Sequence, residues 1–139
     1  MTDFFKKRVT IYNDIEADAV NPRRFERAVI DRCSVQGGIV SKADGTVENI
    51  VNATTIIMKD TERYRTPLVY KKTPVDIRED LYTVQIGDFV VFDEVGDIVS
   101  TSRDFAALQE KYADNGMVIR SVSVNIFGMP VDNITATNA

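Results

Sequence analysis

Histidine and tryptophan are both absent from the 139-residue chain, and Cys33 is its one cysteine. Without histidine there is no His-based catalytic triad, no His-ligated zinc and no imidazole acid–base chemistry. One cysteine excludes an intrachain disulfide and a cysteine-clustered metal site. No apolar run approaches the roughly 20 residues of a membrane-spanning helix, and the N-terminus carries charge where a signal peptide is apolar. We therefore expect a non-enzymatic protein, made in the cytoplasm, that holds no metal or cofactor and enters no membrane.

Leucine is also scarce, and the imbalance among aliphatic residues predicts the fold class. The chain has 3 Leu against 31 Val and Ile, with 12 Thr in addition. β-Branched side chains lose rotamer freedom in helices and pack well on a pleated surface. A chain of this length suits one domain, 1–139, with a substantial core. The sequence therefore predicts a mainly β domain.

Short β-forming runs separated by turn residues are typical of a small β-barrel or sandwich. We expect strands near residues 8–12, 25–35, 50–59, 89–92, 118–127 and 131–136, followed by a frayed tail at 137–139. Asp44-Gly45 predicts a hairpin turn, and Gly37-Gly38 predicts a break in the second strand. Cys33 is interpreted as a small core residue.

One α-helix is predicted near residues 102–114. Thr101 to Asp104 supplies hydroxyl caps and an early acid, which favour a helix N-terminus. Phe105, Leu108 and Tyr112 follow at spacings that form a single apolar stripe. Asn115-Gly116 then provides a stop signal.

A long polar excursion near residues 60–80 interrupts the strand pattern. Charged residues crowd there around Pro67 and Pro74, and long loops in compact domains are usually functional or disordered. We interpret it as a projecting loop or arm. Its basic and aromatic residues are the candidate lumen or partner contacts: Arg63, Tyr64, Arg65, Tyr70, Lys71, Lys72 and Arg78.

Charge is distributed unevenly along the chain. Residues 1–72 carry 13 basic and 10 acidic side chains, whereas residues 73–139 carry 4 and 11. The split is consistent with solvated surface, or with a molecule whose two ends have opposite sign and stack on complementary partners. Of two acidic clusters, Asp93/Glu94/Asp97 lacks the calcium-loop pattern and Asp76/Glu79/Asp80 contains the basic Arg78, so both are interpreted as turns or solvated charge.

Five segments together resemble the small head-completion proteins of tailed bacteriophages, the neck proteins called head-closure, stopper or minor capsid proteins. The resemblance follows the order of elements over most of the chain. Its segments are Arg8–Tyr12, Phe25–Val35, Ile86–Val91, Phe105–Tyr112 and Val118–Val122.

That resemblance implies a structural virion protein: a β-barrel that forms a homo-oligomeric ring in the head–tail connector. Its partners would be the portal or adaptor and the tail proteins, and it would help to retain packaged DNA through non-specific contact. By analogy, residues 60–80 would form a lumen loop or an adaptor-contacting arm. Two alternatives stay open. One is another virion part, such as a tail terminator or capsid decoration protein. The other is a β-barrel binding module for a peptide or single-stranded nucleic acid, which would need a basic groove with stacking aromatics.

Overall fold

A computed structural model describes residues 7–17, 19, 22–40, 51–73, 81–126 and 131–138 of the chain. Within these residues there are seven strands in one antiparallel sheet and two short helices, so the predicted mainly β class is confirmed. The strands are β1 (Lys7–Ile15), β2 (Arg24–Val40), β3 (Val51–Met58), β4 (Phe89–Val91), β5 (Gly116–Val118), β6 (Ser121–Ile126) and β7 (Val131–Thr137). The helices are α1 (Pro67–Lys72) and α2 (Ser102–Lys111).

The sheet curls into a half-barrel with the strand order β5-β4-β1-β2-β3-β7-β6. Its edge strands β5 and β6 are consecutive in the chain, separated only by Ile119 and Arg120. The amide of Ile119 still bonds the carbonyl of Asp88 beside β4 at 2.8 Å, whereas the amide of Arg120 bonds Thr137 on β7 at 2.9 Å. One continuous segment thus changes partner from one edge of the sheet to the other. The predicted barrel-like shape therefore arises from a single sheet rather than from two sheets of a sandwich.

Two apolar clusters lie on opposite faces of this sheet because side chains alternate along each strand. Along β1, Val9 and Ile11 belong to one cluster, here called the inner core. Tyr12 belongs to the other cluster, here called the outer core. The inner core also contains Ile30, Cys33, Ile56, Met58, Tyr64, Tyr82, Val84, Val90, Met117, Ile119, Ile134 and Ala136. The outer core contains Phe89, Val91, Val99, Phe105 and Leu108 as well.

A bulge in β2 changes which residues face the inner core. Simple alternation predicts that Ile30 and Cys33 point to opposite faces, yet both are fully buried in the inner core. Arg32 adopts a positive φ of 57°, and the pairing with β1 slips at this point. An extra residue on one strand resets the alternation, so two residues three apart share a face. The strand then continues through Gly37-Gly38, where the sequence predicts a break, and pairs with β3.

Helix α2 confirms the predicted helix over its first ten residues, and residues 112–114 form a turn instead of helix. Thr101 and Asp104 form a capping box, in which the Thr101 hydroxyl accepts from the Asp104 amide at 3.1 Å. The buried side chains of Phe105 and Leu108 attach the helix to the outer core. The stripe read from the sequence is therefore the face that packs on the sheet.

At the C-terminus, order extends further than predicted. Thr137 lies in β7, and the side chain and amide of Asn138 both bond Thr54 on β3. Thr137 and Asn138, two of the three residues expected to fray, are therefore held on the sheet. Ala139, like the Asp44-Gly45 turn, lies outside the described residues.

Candidate interaction surface

The described part of the predicted excursion, Asp60 to Thr73, is here called the arm. It is attached to the inner core by a tyrosine pair. Tyr64 and Tyr82 are buried, with ring centroids 5.8 Å apart. The amide of Arg65 bonds the carbonyl of Tyr82, and the amide of Tyr82 bonds the carbonyl of Arg63, both at 3.0 Å. The Tyr82 hydroxyl donates to the carbonyl of Asp60. The base of the arm is therefore part of the body of the protein.

Arg63 reinforces this attachment rather than projecting to a partner. Its guanidinium donates to the Asp60 carboxylate from Nε at 3.0 Å and from Nη2 at 2.8 Å. It also donates to the carbonyl of Val29 on β2 at 2.5 Å. One cation thus links the start of the arm to the sheet, at the bulged part of β2.

Further along, α1 places one side chain inward and two outward. Tyr70 is 1% exposed, and its hydroxyl lies 3.3 Å from Oε2 of Glu26 on β2. Leu68 and Val69, in contrast, are 66% and 50% exposed. Lys72 is exposed and Lys71 half-buried at the end of the helix. The anchored arm therefore presents an apolar pair beside two cations.

The seven residues predicted from the sequence as contacts thus divide by position. Tyr64 and Tyr70 are buried, so neither ring is free to stack on a base, and Arg63 is held by Asp60. Arg65 is half-buried and bonds the carbonyls of Glu62 and Tyr64. Lys71 and Lys72 lie beside the apolar pair, and Arg78 lies outside the described residues.

Sequence reasoning did not single out Leu68 and Val69, the exposed apolar pair of the arm. The signal was present, because this apolar pair stands between Pro67 and Lys71-Lys72 in an otherwise polar segment. The excursion was interpreted as a loop, and a loop gives no reason to separate an inward residue from an outward one. The short helix α1 creates that distinction.

A second surface, here called the α2 groove, lies on the other side of the sheet. It is an open groove of about 190 Å³ between residues 97–99 and α2. Ile98 at its rim is 84% exposed. The lining residues are Asp97, Ile98, Val99, Asp104, Ala107, Leu108 and Lys111. The groove therefore combines apolar and acidic surface.

Acidic groups near this groove are fixed in position. The Asp97 carboxylate accepts from Lys111 Nζ at 2.7 Å and from the Tyr112 hydroxyl at 2.6 Å. The bond from Lys111, followed by that from Tyr112, lowers the pKa of Asp97 from its ordinary value. Asp93 and Glu94 make ion pairs with Lys7 and Arg8 on β1, at 3.6 Å and 3.2 Å. In the described part of the chain, no three acidic or cysteine side chains are grouped closely enough to hold a metal ion.

One buried carboxylate lies apart from both surfaces. Asp88, 1% exposed, accepts from the Asn13 side chain at 2.7 Å and from the amides of Asp14 and Gln85, each at 2.9 Å. Burial raises the pKa of Asp88 to about 7, although these three N–H donors act in the opposite direction. The sequence gives no signal that this carboxylate is buried.

The chain is similar to a known protein family over nearly its whole length. The model of a family described as "Family of unknown function (DUF6751)" matches residues 4–137. No curated protein and no solved structure matches the chain. Neither helix of the described residues has the length and apolar character needed to cross a bilayer.

Proposed function

The chain belongs to the DUF6751 family of unknown function, and we propose that it is a structural component of a tailed-phage virion. Its place would be the neck, as a head-closure or stopper protein between portal and tail. It would assemble there as a ring and help to retain packaged DNA. The proposal includes no catalytic step. The resemblance of its element order to head-completion proteins supports this role, and so does the construction of the arm.

The apolar pair on the anchored arm carries the proposal. Isolated apolar residues on a protein surface are ordinary. Leu68 and Val69, however, are adjacent on a helix that Tyr70 and the base of the arm hold to the sheet. Burying such side chains against a partner releases about 25 cal/mol per Å² of apolar area. Because the arm is already ordered, docking it costs little conformational entropy.

The curled sheet suits a protein whose role is to position contacts. β1 and β2 pair over most of their length, and the segment from β5 to β6 joins the two edges. Such a frame holds the arm on one face and α2 on the other. Lys71 and Lys72 give the arm a positive end, which is the sign needed for non-specific contact with DNA phosphates.

The proposal is tested by mixing the purified protein with the portal complex of a tailed phage that encodes it. Negative-stain imaging is expected to show an added ring of density on the portal. Leu68→Asp is expected to abolish or strongly weaken that binding, whereas Ile86→Asp, a matched control at a site 72% exposed, is expected to bind normally. Thermal melts should show that both variants remain folded, since surface substitutions usually change stability by less than about 0.5 kcal/mol.

Two results would contradict the proposal at different points. Failure of the unaltered protein to bind the portal, with or without the adaptor protein, would contradict the assignment to the neck. Equal binding by Leu68→Asp and the unaltered protein would retain the neck assignment but show that the apolar pair is not needed for assembly on the portal.

A further inference from the structure

We propose that the arm of one copy docks into the α2 groove of a second copy. The contact is heterologous, since each copy uses a different surface, and its repetition would build the ring. The statement that this contact builds a ring rests on the proposed function. Leu68 and Val69 would pack against Ile98 and Ala107, with the arm lysines facing the acids around α2.

The sheet separates these two surfaces within one chain. The arm is attached through Tyr64 to the inner core, whereas α2 is attached through Phe105 and Leu108 to the outer core. Val9 and Ile11 on one face of β1 and Tyr12 on the other show that these cores lie on opposite sides of the same strand. A contact between arm and groove therefore joins two copies.

The two surfaces are complementary in charge as well as in apolar character. The arm contains four basic and two acidic side chains, whereas residues 93–114 contain six acidic and two basic ones. Of those six acids, Asp93, Glu94 and Asp97 are already paired with Lys7, Arg8 and Lys111. The carboxylates of Glu110 and Asp114 are on exposed positions near the end of α2. Opposite charge around an apolar centre favours this pairing and disfavours arm against arm.

The size of the contact determines how it behaves in solution. Stable protein interfaces bury roughly 800 Å² on each partner, and a six-residue helix covers only part of such an area. One contact is therefore weak, and the protein is expected to be monomeric when dilute. In a closed ring each copy makes two contacts, so the last one forms intramolecularly at a high effective concentration.

Disulfide trapping tests the contact directly. Cys33 is fully buried, and burial raises the pKa of its thiol to about 12, so it reacts little with an added oxidant. A Leu68→Cys chain is mixed with an Ile98→Cys chain at high protein concentration and oxidised with diamide. The matched control replaces Ile98→Cys with Ile86→Cys, since Ile86 is similarly exposed.

The Leu68→Cys and Ile98→Cys pair is expected to cross-link about tenfold faster than the control pair, because docking raises the local thiol concentration. High salt should slow the reaction of the first pair towards the rate of the control. Equal rates for the two pairs would overturn the inference, and so would faster cross-linking of Leu68→Cys to itself, which would indicate an arm-to-arm contact.

Failure of this inference is distinguishable from failure of the proposed function. Equal cross-linking rates together with portal binding by the unaltered protein would refute only the contact between copies. Fast cross-linking without any portal binding would support the contact and refute the neck assignment.

Discussion

Asp88 shows how one residue can connect three parts of the chain. Its carboxylate bonds β1 through Asn13 and Asp14, while its own carbonyl accepts the amide of Ile119 where the chain passes from β5 to β6. Burying a charge is unfavourable unless its partners compensate. Three N–H donors compensate in part, and the pKa nevertheless rises from 3.8 to about 7.

This raised pKa predicts a pH dependence of stability. Between about pH 4 and pH 7 the folded protein keeps a proton on Asp88 that the unfolded chain has lost. The contribution of Asp88 to the free energy of unfolding therefore falls as the pH rises through this range, and its full cost is present above pH 7. An NMR titration of the Asp88 side-chain carboxyl carbon is expected to show a midpoint near 7. A midpoint near 4 would show that the three donors fully offset the effect of burial.

Single residues were predictable from the sequence only where their environment is local. Cys33 was interpreted as a small core residue, and it is fully buried. The positions of Tyr64 and Asp88 depend instead on segments far along the chain, Tyr82 in one case and β1 in the other. Composition and spacing carry no signal for such contacts. Tyr64, which the sequence suggested as a contact in a projecting loop, is instead found to be an anchor.

Among the elements, the two helices differ in how they are stabilised. α2 has its capping box, an acid in its first turn and Lys111 in its last. α1 is six residues long, with no acid in its first turn and no side-chain cap. A helix this short is marginal alone in water. The burial of Tyr70 and the attachment of the arm therefore supply what local signals do not.

Loss of the α2 cap is expected to lower stability measurably. Thr101→Ala removes the hydroxyl that accepts from the Asp104 amide, and loss of such a cap typically costs about 1 kcal/mol. Thr101→Ser keeps the hydroxyl and serves as the matched control. Urea unfolding should show the loss for alanine and little change for serine. An alanine variant as stable as the unaltered protein would mean that α2 is held by packing of Phe105 and Leu108 alone.

These differences explain which elements the sequence could predict. α2 was predicted because its cap, its apolar stripe and its stop signal all lie close together in the sequence. α1 was missed because its stability comes from tertiary contacts. β2 was predicted as a strand, but the bulge at Arg32 was not, because it depends on the pairing with β1. The slip reverses the expected face of Cys33 relative to Ile30.

On the scale of the whole molecule, the fold class follows from composition. The joining of the two sheet edges by the segment from β5 to β6 does not. The excess of Val and Ile predicts a mainly β fold. No sequence pattern between Gly116 and Ile126 indicates that this segment pairs first with β4 and then with β7. The uneven charge was visible in the sequence, but the ion pairs that join Lys7 and Arg8 on β1 to Asp93 and Glu94 require the topology.

One contact underlies the proposed assembly: copies join through the arm of one and the α2 groove of the next. Sedimentation velocity tests it with Leu68→Asp, which lacks a working arm, and Ile98→Asp, which lacks a working groove. Because a single contact is weak, the measurement uses protein concentrations high enough for one arm-to-groove contact to form without ring closure. Each variant alone is expected to remain monomeric at these concentrations, whereas the unaltered protein associates. An equimolar mixture is expected to form a heterodimer and grow no further, since it contains one intact arm and one intact groove. Association of either variant alone like the unaltered protein, or a mixture that stays monomeric, would contradict the claim.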